Sequence, residues 1–293
     1  MMRLSPQEIA SLIQEDLPYL DLTTEALGLR DGPGSITFRS RQPTVVAGTE
    51  IAVQLLEYQG AQVHQFLPSG HAAAAGDILL MAEGRAAALH GVWRVAANVL
   101  EYSSGIAGRA SRLVKEARAH CPGIVVAGTR KHYPGTRRLS VMAALAGGVF
   151  PHRLGLSETM LVFRQHLEFL GGLPVFLERL PALRRSLPSV KILVEVERSR
   201  DALPDALALA MAGVDGIQFD KLSPDSLRDM TGALRSAAPG ITVFAAGGIG
   251  EDNVAEYAAT GVDVLVTSAI YHAPPADIGA RILPMETGNS CGG

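Results

Sequence analysis

The apolar and polar positions follow one pattern in the first third of the chain and another beyond it. The first predicted element is a helix at Ser5–Gln14, because a capping serine is followed by a proline in the first turn and by Glu8 three residues after the cap. From Gly34 to about Gly84, short apolar runs are broken by Gly and Pro around a helical stretch at 49–58. This part of the chain is therefore predicted to be an α+β module.

A longer helical pattern follows this module. Residues 87–119 place small and apolar side chains at helical spacing, and Gly105 and Gly108 mark either a break or a point of close packing. The pattern changes again at the end of this stretch. We therefore expect a domain boundary near it.

Beyond Cys121 the chain repeats a short apolar run followed by a helical stretch, as in folds that alternate strands and helices. The apolar runs are Ile124–Ala127, Met160–Phe163, Ile192–Val196, Gly216–Asp220, Thr242–Ala246 and Val262–Val266. Such runs are typical of parallel strands covered on both faces. Strands that alternate with helices form either an open doubly wound sheet or a barrel. Polar residues follow almost every run, and this favours the barrel, because its strands all end around one centre.

The predicted fold class is α/β, with a short or incomplete α/β barrel and an N-terminal α+β sandwich domain. A regular eightfold barrel needs roughly 250 residues, and the repeating region is much shorter. Residues 1–104 are assigned to the sandwich domain, joined by the C-terminal tail 273–293, and residues 105–272 to the barrel. The tail is assigned to the first domain because Pro274 and Pro275 precede one further apolar strand or helix.

Composition narrows the classes of partner. The chain has 293 residues, 47% of them hydrophobic, and a net charge of −3, so it is globular and carries no overall basic field. Nucleic acid and anionic membranes are therefore not expected as main partners, whereas an anionic small molecule is compatible with this charge.

The sequence also predicts a cytoplasmic protein. Cys121 and Cys291 make no disulfide framework, and the first residues lack the apolar core of a signal peptide. Charges, Gly or Pro interrupt every apolar run before it reaches the roughly 18 to 20 residues that span a bilayer.

Two clusters of basic residues are candidates for binding an anion. Arg130 and Lys131 follow the first apolar run, and His152 and Arg153 lie in the stretch at 147–153. Guanidinium groups bind phosphate or carboxylate with two hydrogen bonds, and lysine acts as a point charge. The alternative is that these are solvated surface charges.

Two carboxylates are the acidic candidates. Glu195 and Asp220 stand at the ends of neighbouring predicted strands, where they could hold a divalent ion or the hydroxyls of a sugar. The alternative for Glu195 is an internal salt bridge to Arg130, Lys131 or Lys221. A Schiff-base role for Lys221 finds no support in its neighbours.

Glycines follow the fifth predicted strand. Gly247 and Gly248 precede a helix expected to open at 251–254, so backbone N–H groups near a helix N-terminus would form a phosphate site. A plain tight turn is the alternative.

These residues combine with others into a pattern that covers nearly the whole chain. The motifs are Glu15-Asp16, Asp21–Thr24, Arg94, Ser104–Ala107, Thr129–Lys131 with Pro134-Gly135, His152–Leu156, Glu195, Asp220 and Gly247-Gly248. The chain thus resembles the type II phosphoribosyltransferases, the family of quinolinate phosphoribosyltransferase (nicotinate-nucleotide pyrophosphorylase, carboxylating). Residues 133–136 and 151–159 resemble its ModD pyrophosphorylase subgroup, which is associated with molybdate-transport genes.

The resemblance implies transfer of phosphoribose from 5-phosphoribosyl-1-pyrophosphate (PRPP) to a ring nitrogen, with Mg²⁺ as cofactor and loss of pyrophosphate. The catalytic residues implied are Lys131, Glu195 and Asp220, with Glu195 and Asp220 as metal ligands. The substrate-binding residues implied are Arg94, Arg130, Lys131, His152, Arg153, Phe163, Gly247, Gly248 and Ser268. Arg94 matches the position from which a second subunit reaches the site, which implies a homodimer or a dimer-based oligomer.

Four positions depart from the family pattern. Phe163 replaces a lysine that meets a carboxylate of the acceptor, Ala246 stands in place of serine, Gly128 in place of Asp, and Ser268 in place of glycine. The residues implied to bind PRPP, which we call the PRPP half of the site, thus mostly match the family pattern. The residues implied to bind the acceptor ring, the acceptor half, are altered. The expected acceptor is a nitrogen-heterocyclic acid, quinolinate-like but open to a different ring. The resemblance to the ModD subgroup also implies a link to molybdenum utilisation.

Three alternatives stay open on the sequence alone. The chain could be quinolinate phosphoribosyltransferase proper, or a non-catalytic relative that binds PRPP or a nucleotide as a sensor. A phosphosugar aldolase or isomerase on a similar barrel is the third alternative, and it would need a reactive lysine or a proton-abstracting pair.

Overall fold

The structure is a computed structural model that describes residues 3–29, 32–199 and 202–285. Cys291 and the end of the predicted tail, 286–293, lie outside the described residues. The chain divides into two compact units. In the described residues, unit 1 comprises 3–111, 136–148 and 273–285, apart from the gap at 30–31, and unit 2 comprises 112–135 and 149–272, apart from the gap at 200–201.

Helices and strands alternate through most of the described chain. The helices are α1 (Pro6–Asp16), α2 (Leu22–Ala26), α3 (Thr49–Tyr58), α4 (Ala86–His120), α5 (Arg137–Ala146), α6 (Arg164–Leu170), α7 (Leu173–Ser186), α8 (Ala202–Met211), α9 (Pro224–Ala237) and α10 (Val254–Ala258), with a 3₁₀ turn at Ala269–His272. The strands are β1 (Pro33–Ser40), β2 (Thr44–Val45), β3 (Gln62–Phe66), β4 (Ala72–Ala73), β5 (Ile78–Arg85), β6 (Val125–Gly128), β7 (Phe150–Pro151), β8 (Met160–Val162), β9 (Ile192–Glu197), β10 (Gly216–Asp220), β11 (Thr242–Ala246), β12 (Val264–Thr267) and β13 (Ile278–Pro284).

Unit 1 is built on an antiparallel sheet in the order β13-β1-β5-β3. Alternate residues of β1, among them Ile36 and Phe38, are fully buried in a core that also takes Leu55 from α3 and Leu100 from α4. The period of two puts one face of the strand into the core. The predicted α+β domain is therefore confirmed as a fold.

The predicted start of α1 is confirmed in detail. Ser5 Oγ accepts a hydrogen bond from Glu8 N at 3.3 Å, and the Glu8 carboxylate accepts from Ser5 N at 2.7 Å. This reciprocal capping box satisfies two N–H groups that the first turn leaves without helical partners. The predicted stretch at 49–58 is α3 with the same bounds.

Gly105 does not interrupt α4, which runs continuously from Ala86 to His120. It is a point of close packing instead, because a Cβ added at Gly105 would overlap the carbonyl of Pro274. The returning tail is held nearby by Ala276 N, which donates to Glu101 O at 2.9 Å, and it then pairs with β1 as β13.

The compact units have different bounds from the predicted domains. Unit 1 extends to residue 111 and also includes 136–148, which the sequence placed in the barrel. The reason is packing: Leu139 and Met142 lie against the core of unit 1, and a Cβ added at Gly147 would overlap the backbone of Ala107.

Unit 2 is a parallel sheet of seven strands in the order β7-β6-β12-β11-β10-β9-β8. The sheet stays open between β7 and β8 within the described residues, so the predicted incomplete α/β barrel is confirmed. Each of the six predicted runs overlaps a strand, whereas the two-residue β7 was not predicted. No helix in the described parts of the chain is long and apolar enough to cross a membrane.

Candidate active site

A cavity of about 620 Å³ opens at the carboxyl ends of the parallel strands of unit 2. Its volume is in the range of small-molecule sites. It brings together ten of the eleven predicted site residues: Arg130, Lys131, His152, Arg153, Phe163, Glu195, Asp220, Gly247, Gly248 and Ser268. The parallel sheet explains this convergence, because all of its strands end at the same edge.

Backbone hydrogen bonds hold the basic segments at this edge. Thr129 N donates to Thr267 O at 3.0 Å, and Lys131 N donates to Thr129 Oγ1 at 3.2 Å. His152 N donates to Gly128 O at 2.9 Å. The two basic segments that the sequence identified are therefore anchored to adjacent strands β6 and β12.

The departure at Gly128 has a local structural reason. A Cβ added at this position would lie 2.7 Å from the hydroxyl oxygen of Tyr271. Burial raises the pKa of Tyr271, so the phenol stays protonated at neutral pH. An aspartate at 128 would therefore require Tyr271 to move.

Glu195 lies beside Gln218 and not in an ion pair. Gln218 Nε2 donates to Glu195 Oε2 at 2.6 Å. Among the ion pairs of the described residues, none joins Glu195 to a basic side chain within 4.0 Å. Burial raises the pKa of Glu195, and the like charges of Asp220 and Glu197 raise it further, while Gln218 and Lys131 counter the shift. The carboxylate is therefore held in a setting that favours an incoming cation.

The turn after β10 places Asp220 against the glycine-rich loop. Lys221 has φ 58, which is unusual for a residue with a side chain, and its N–H donates to Ala246 O at 2.8 Å. A Cβ added at Gly247 would lie 2.6 Å from Asp220 Oδ1. The Lys221 ammonium lies 3.6 Å from Asp220 Oδ2 with 78% of the side chain exposed, which gives no support to a Schiff-base role.

A short helix follows the glycine-rich loop, as predicted. Helix α10 begins at Val254, the last residue of the predicted opening at 251–254, and has five residues. Side chains shape the loop before it: Asn253 Oδ1 accepts from Gly250 N at 2.9 Å, and Thr267 Oγ1 donates to Ile249 O at 2.6 Å. A phosphate bound here would therefore accept hydrogen bonds from the backbone amides of the loop, because the helix that follows is too short to form an N-terminal phosphate site by itself.

The opposite wall combines cations with an aromatic ring. Arg153 Cζ lies 5.8 Å from the centroid of the Phe163 ring, and Phe163 N donates to His166 Nδ1 at 2.9 Å. Burial lowers the pKa of Arg153, and the neighbouring charge of Arg130 lowers it further. Two guanidinium groups that repel each other favour an anion between them.

His152 is largely buried on this wall, and its ring centroid lies 5.6 Å from that of Phe244. Burial lowers the pKa of His152, the Arg153 charge lowers it further, and hydrogen bonding with Gln218 opposes both. The imidazole is therefore neutral at pH 7.

Sequence reasoning missed Gln218, Thr267 and His272, which also line the cavity. Gln218 had a signal, because it is a polar residue inside the apolar run of β10 and lies two positions before Asp220, on the same face of the strand. Thr267 contributes through its hydrogen bond to the carbonyl of Ile249 in the glycine-rich loop. His272 lies after the last parallel strand, and its spacing from the other site residues gives no signal in the sequence.

Arg94 lies in unit 1, on α4. Its guanidinium carbon is 4.2 Å from the centroid of the Trp93 ring, and Nη1 is 4.0 Å from Glu101 Oε1. Its role in the site of a second subunit stays a prediction.

Comparison with known proteins places these features in one family. The N-terminal domain of quinolinate phosphoribosyl transferase matches residues 21–104, and its C-terminal domain matches residues 106–281. The chain is 38% identical over 278 residues to ModD of Pasteurella multocida, which covers 95% of this chain and 97% of that protein. It is 31% identical over 279 residues to nicotinate-nucleotide pyrophosphorylase [carboxylating] of Rattus norvegicus. This match covers 93% of this chain and 90% of the rat protein.

The fold is also shared with solved structures. NadC from Streptococcus pyogenes superposes with a TM-score of 0.86 at 22% identity and covers 98% of this chain and 100% of that one. The two matching domains together cover most of the chain, and the structure confirms the fold expected from them. This chain therefore belongs to the quinolinate phosphoribosyl transferase family, the type II phosphoribosyltransferases.

Proposed function

We propose that the protein transfers phosphoribose from PRPP to the ring nitrogen of a heterocyclic acid, with release of pyrophosphate. The observation that carries the proposal is the convergence of carboxylates, cations and glycine amides in one cavity of a chain of this family. Relatives named nicotinate-nucleotide pyrophosphorylase support the same reaction class.

The PRPP half would lie between β9 and β12. Departure of pyrophosphate leaves positive charge on the ribose, so carboxylates beside the sugar and a cation beside the leaving group stabilise the transition state. Glu195 and Asp220 supply the first requirement, and Lys131 supplies the second. Gly247 and Gly248 leave space for phosphate oxygens to approach the backbone.

The donor set is compatible with a Mg²⁺ ion that arrives on the pyrophosphate. No group of three or more His, Cys, Asp or Glu side chains in the described residues could hold a metal alone. Mg²⁺ often binds through one or two carboxylates, water and substrate phosphates, and Glu195 and Asp220 would provide that share. The ion would neutralise charge on the leaving group.

The acceptor half would lie along Arg130, His152, Arg153 and Phe163. The two guanidinium groups would hold a carboxylate of the ring, and the neutral imidazole would approach the ring edge without adding charge. Phe163 adds an apolar surface against which a flat ring can pack. Because one cation of the family pattern is absent here, we propose an acceptor with less charge than quinolinate.

A homodimer is part of the proposal. Arg94 would reach the site of the second subunit, as its match to the family pattern implies, and it stands beside Trp93 and Val95 on α4. A cytoplasmic location and a link to molybdenum utilisation stay predictions.

The test is titration calorimetry with PRPP in the presence and absence of Mg²⁺, followed by an assay of pyrophosphate release with a panel of pyridine carboxylates. Binding of PRPP with release of pyrophosphate supports the transferase. Binding without release for any ring would instead support the sensor alternative.

A further inference from the structure

Lys221 is the only residue other than glycine that has a positive φ in the part of the chain that the structure describes. Its φ of 58 lies in the left-handed region, where a side chain crowds the backbone and which glycine and asparagine adopt more readily. Lys221 directly follows Asp220 at the end of β10. Residues with strained backbones cluster at functional sites, so a lysine at this position indicates a task for its side chain.

The left-handed backbone keeps the Lys221 side chain on the side of the strand end where the cavity lies. Alternation along β10 puts Asp220 in the cavity wall, so an extended residue 221 would share the opposite face with the buried ring of Phe219. Instead the chain turns at Lys221, whose N–H donates to Ala246 O at 2.8 Å. The Lys221 ammonium consequently lies 3.6 Å from Asp220 Oδ2.

The glycine-rich loop lies against the stem of the same side chain. A Cβ added at Gly247 would be 2.5 Å from Lys221 Cγ and 2.6 Å from Asp220 Oδ1. Asp220 and Gly247 both line the cavity, together with the rest of the loop at 248–250. Lys221 therefore extends between a carboxylate and a glycine loop that belong to the same side of the cavity.

The ion pair with Asp220 does not account for the strained lysine. The Lys221 side chain is 78% exposed, and an exposed ion pair contributes little to stability. An exposed ammonium is free to turn from Asp220 towards a bound anion. Lysine binds phosphate as a point charge, and Gly248, with φ 77 and open space in place of a side chain, leaves the loop backbone accessible to phosphate oxygens.

We propose that Lys221 is a phosphate-binding residue, whose ammonium binds a phosphate group held on the backbone of the loop at 247–250. The inference rests on the proposed phosphoribosyl transfer and adds a second lysine, besides Lys131, to the residues that would bind PRPP. PRPP carries two groups of this chemistry, the 5-phosphate and the pyrophosphate, and the experiment distinguishes them.

The experiment measures binding of PRPP, ribose 5-phosphate and pyrophosphate by calorimetry in the presence of Mg²⁺. Lys221→Asn removes the charge and accepts the positive φ, whereas Lys221→Arg keeps the charge. We expect the Kd for PRPP to rise about tenfold in Lys221→Asn and to stay near the wild-type value in Lys221→Arg. The same loss for either ribose 5-phosphate or pyrophosphate, but not for both, identifies the group that Lys221 binds.

Thermal unfolding of the same variants separates the charge from the turn. Lys221→Asn should melt at or above the wild-type temperature, because asparagine relieves backbone strain, even though it binds PRPP more weakly. A purely structural role for Lys221 would instead lower stability and binding together. Should Lys221→Asn fail to fold, Lys221→Gly replaces it, since glycine adopts this φ without strain.

Lys191→Asn is the matched control. Lys191 forms the same kind of pair, with Nζ 3.0 Å from Asp215 Oδ1 and 74% of its side chain exposed. Lys191 and Asp215 directly precede β9 and β10, so this pair lies at the amino ends of the strands, opposite the cavity. We expect this variant to keep the wild-type affinity for all three ligands.

The outcomes separate this inference from the proposed function. Unchanged PRPP affinity in Lys221→Asn would overturn the role of Lys221 and leave the transferase intact. An equal loss in Lys221→Asn and Lys221→Arg would also overturn it, because the charge would then not matter. Failure of the wild type to bind PRPP at all would refute the proposed function itself.

Discussion

Asp220 and Gly247 lie so close that a single added carbon on the glycine would be 2.6 Å from the Asp220 carboxylate. Gly247 has φ 92, and its neighbour Gly248 has φ 77 with open space where a Cβ would be. The two glycines thus share a left-handed backbone but differ in what a side chain would meet. The contact joins the end of β10 to the glycine-rich loop.

This difference gives the first prediction. Both Gly247→Ala and Gly248→Ala incur backbone strain of roughly 1 kcal/mol, but only Gly247→Ala displaces Asp220. We expect kcat/KM for PRPP to fall about tenfold or more in Gly247→Ala relative to Gly248→Ala, as measured by pyrophosphate release. Equal losses in the two variants would show that Asp220 does not act on PRPP.

The charged groups on either side of the ribose give the second prediction. Lys131→Ala and Glu195→Ala should each lower turnover by about 10² or more while the circular dichroism spectrum is unchanged, because each removes one charge from a partly desolvated site. Loss of Lys131 should also weaken the salt dependence of PRPP affinity. Wild-type rates of pyrophosphate release in both variants would contradict the assignment.

The third prediction concerns the acid limb of the pH profile. Burial and nearby like charges raise the pKa of Glu195 above the ordinary glutamate value of 4.5, so its carboxylate form is lost as the pH falls through that raised value. Glu197→Gln removes one like charge and should lower this pKa. The acid limb of kcat/KM should then move to lower pH.

Asp225→Asn is the control for this shift, because Asp225 is exposed and pairs with Arg228 at 3.0 Å. Its profile should match the wild type. An acid limb that stays in place in Glu197→Gln would mean that Glu195 does not control the limb.

Sequence reasoning succeeded where the pattern itself is local. The capping box at Ser5 and Glu8 and the apolar runs of β10 and β11 depend on neighbouring residues only, and each was found. The convergence of Arg130 and Glu195 followed from the rule that parallel strands end at one edge.

The misses depend on contacts that are distant in the chain. Gly105 allows either a break or close packing, and only the return of Pro274 decides between them. Gln218 could be identified as polar in an apolar run, but its fixed amide depends on Glu195 in the neighbouring strand.

The fourth prediction concerns the acceptor wall. Phe163→Lys restores a cation next to Arg153 and should favour rings with two carboxylates, because leaving a buried carboxylate without a partner costs about 1 to 3 kcal/mol. We expect the ratio of kcat/KM for quinolinate over pyridine-3-carboxylate to rise about tenfold in the variant. Efficient use of quinolinate by the wild type, at roughly 10⁴ M⁻¹s⁻¹ or above, would show that Phe163 does not exclude it.

The fifth prediction concerns stability in acid. The capping hydrogen bonds of Ser5 and the Arg138 guanidinium lower the pKa of Glu8 from 4.5 to about 2. A carboxylate with a lowered pKa stabilises the folded state above pH 4.5, and this contribution is lost as the pH falls towards 2. Urea unfolding should show a stability gap between wild type and Glu8→Gln that is full at pH 6 and narrows below about 4.5. A gap that is the same at pH 6 and pH 3 would contradict the pKa shift.

The central claim is that this cavity joins phosphoribose to a ring nitrogen. The most direct measurement incubates the purified protein with PRPP, Mg²⁺ and a panel of nitrogen-heterocyclic acids and identifies the products by mass spectrometry. The account expects at least one ring to gain the mass of a phosphoribosyl group, with one pyrophosphate released for each product, and expects Glu195→Ala to lower both signals together by about 10² or more. PRPP that binds tightly but yields no phosphoribosylated ring with any acceptor would contradict it.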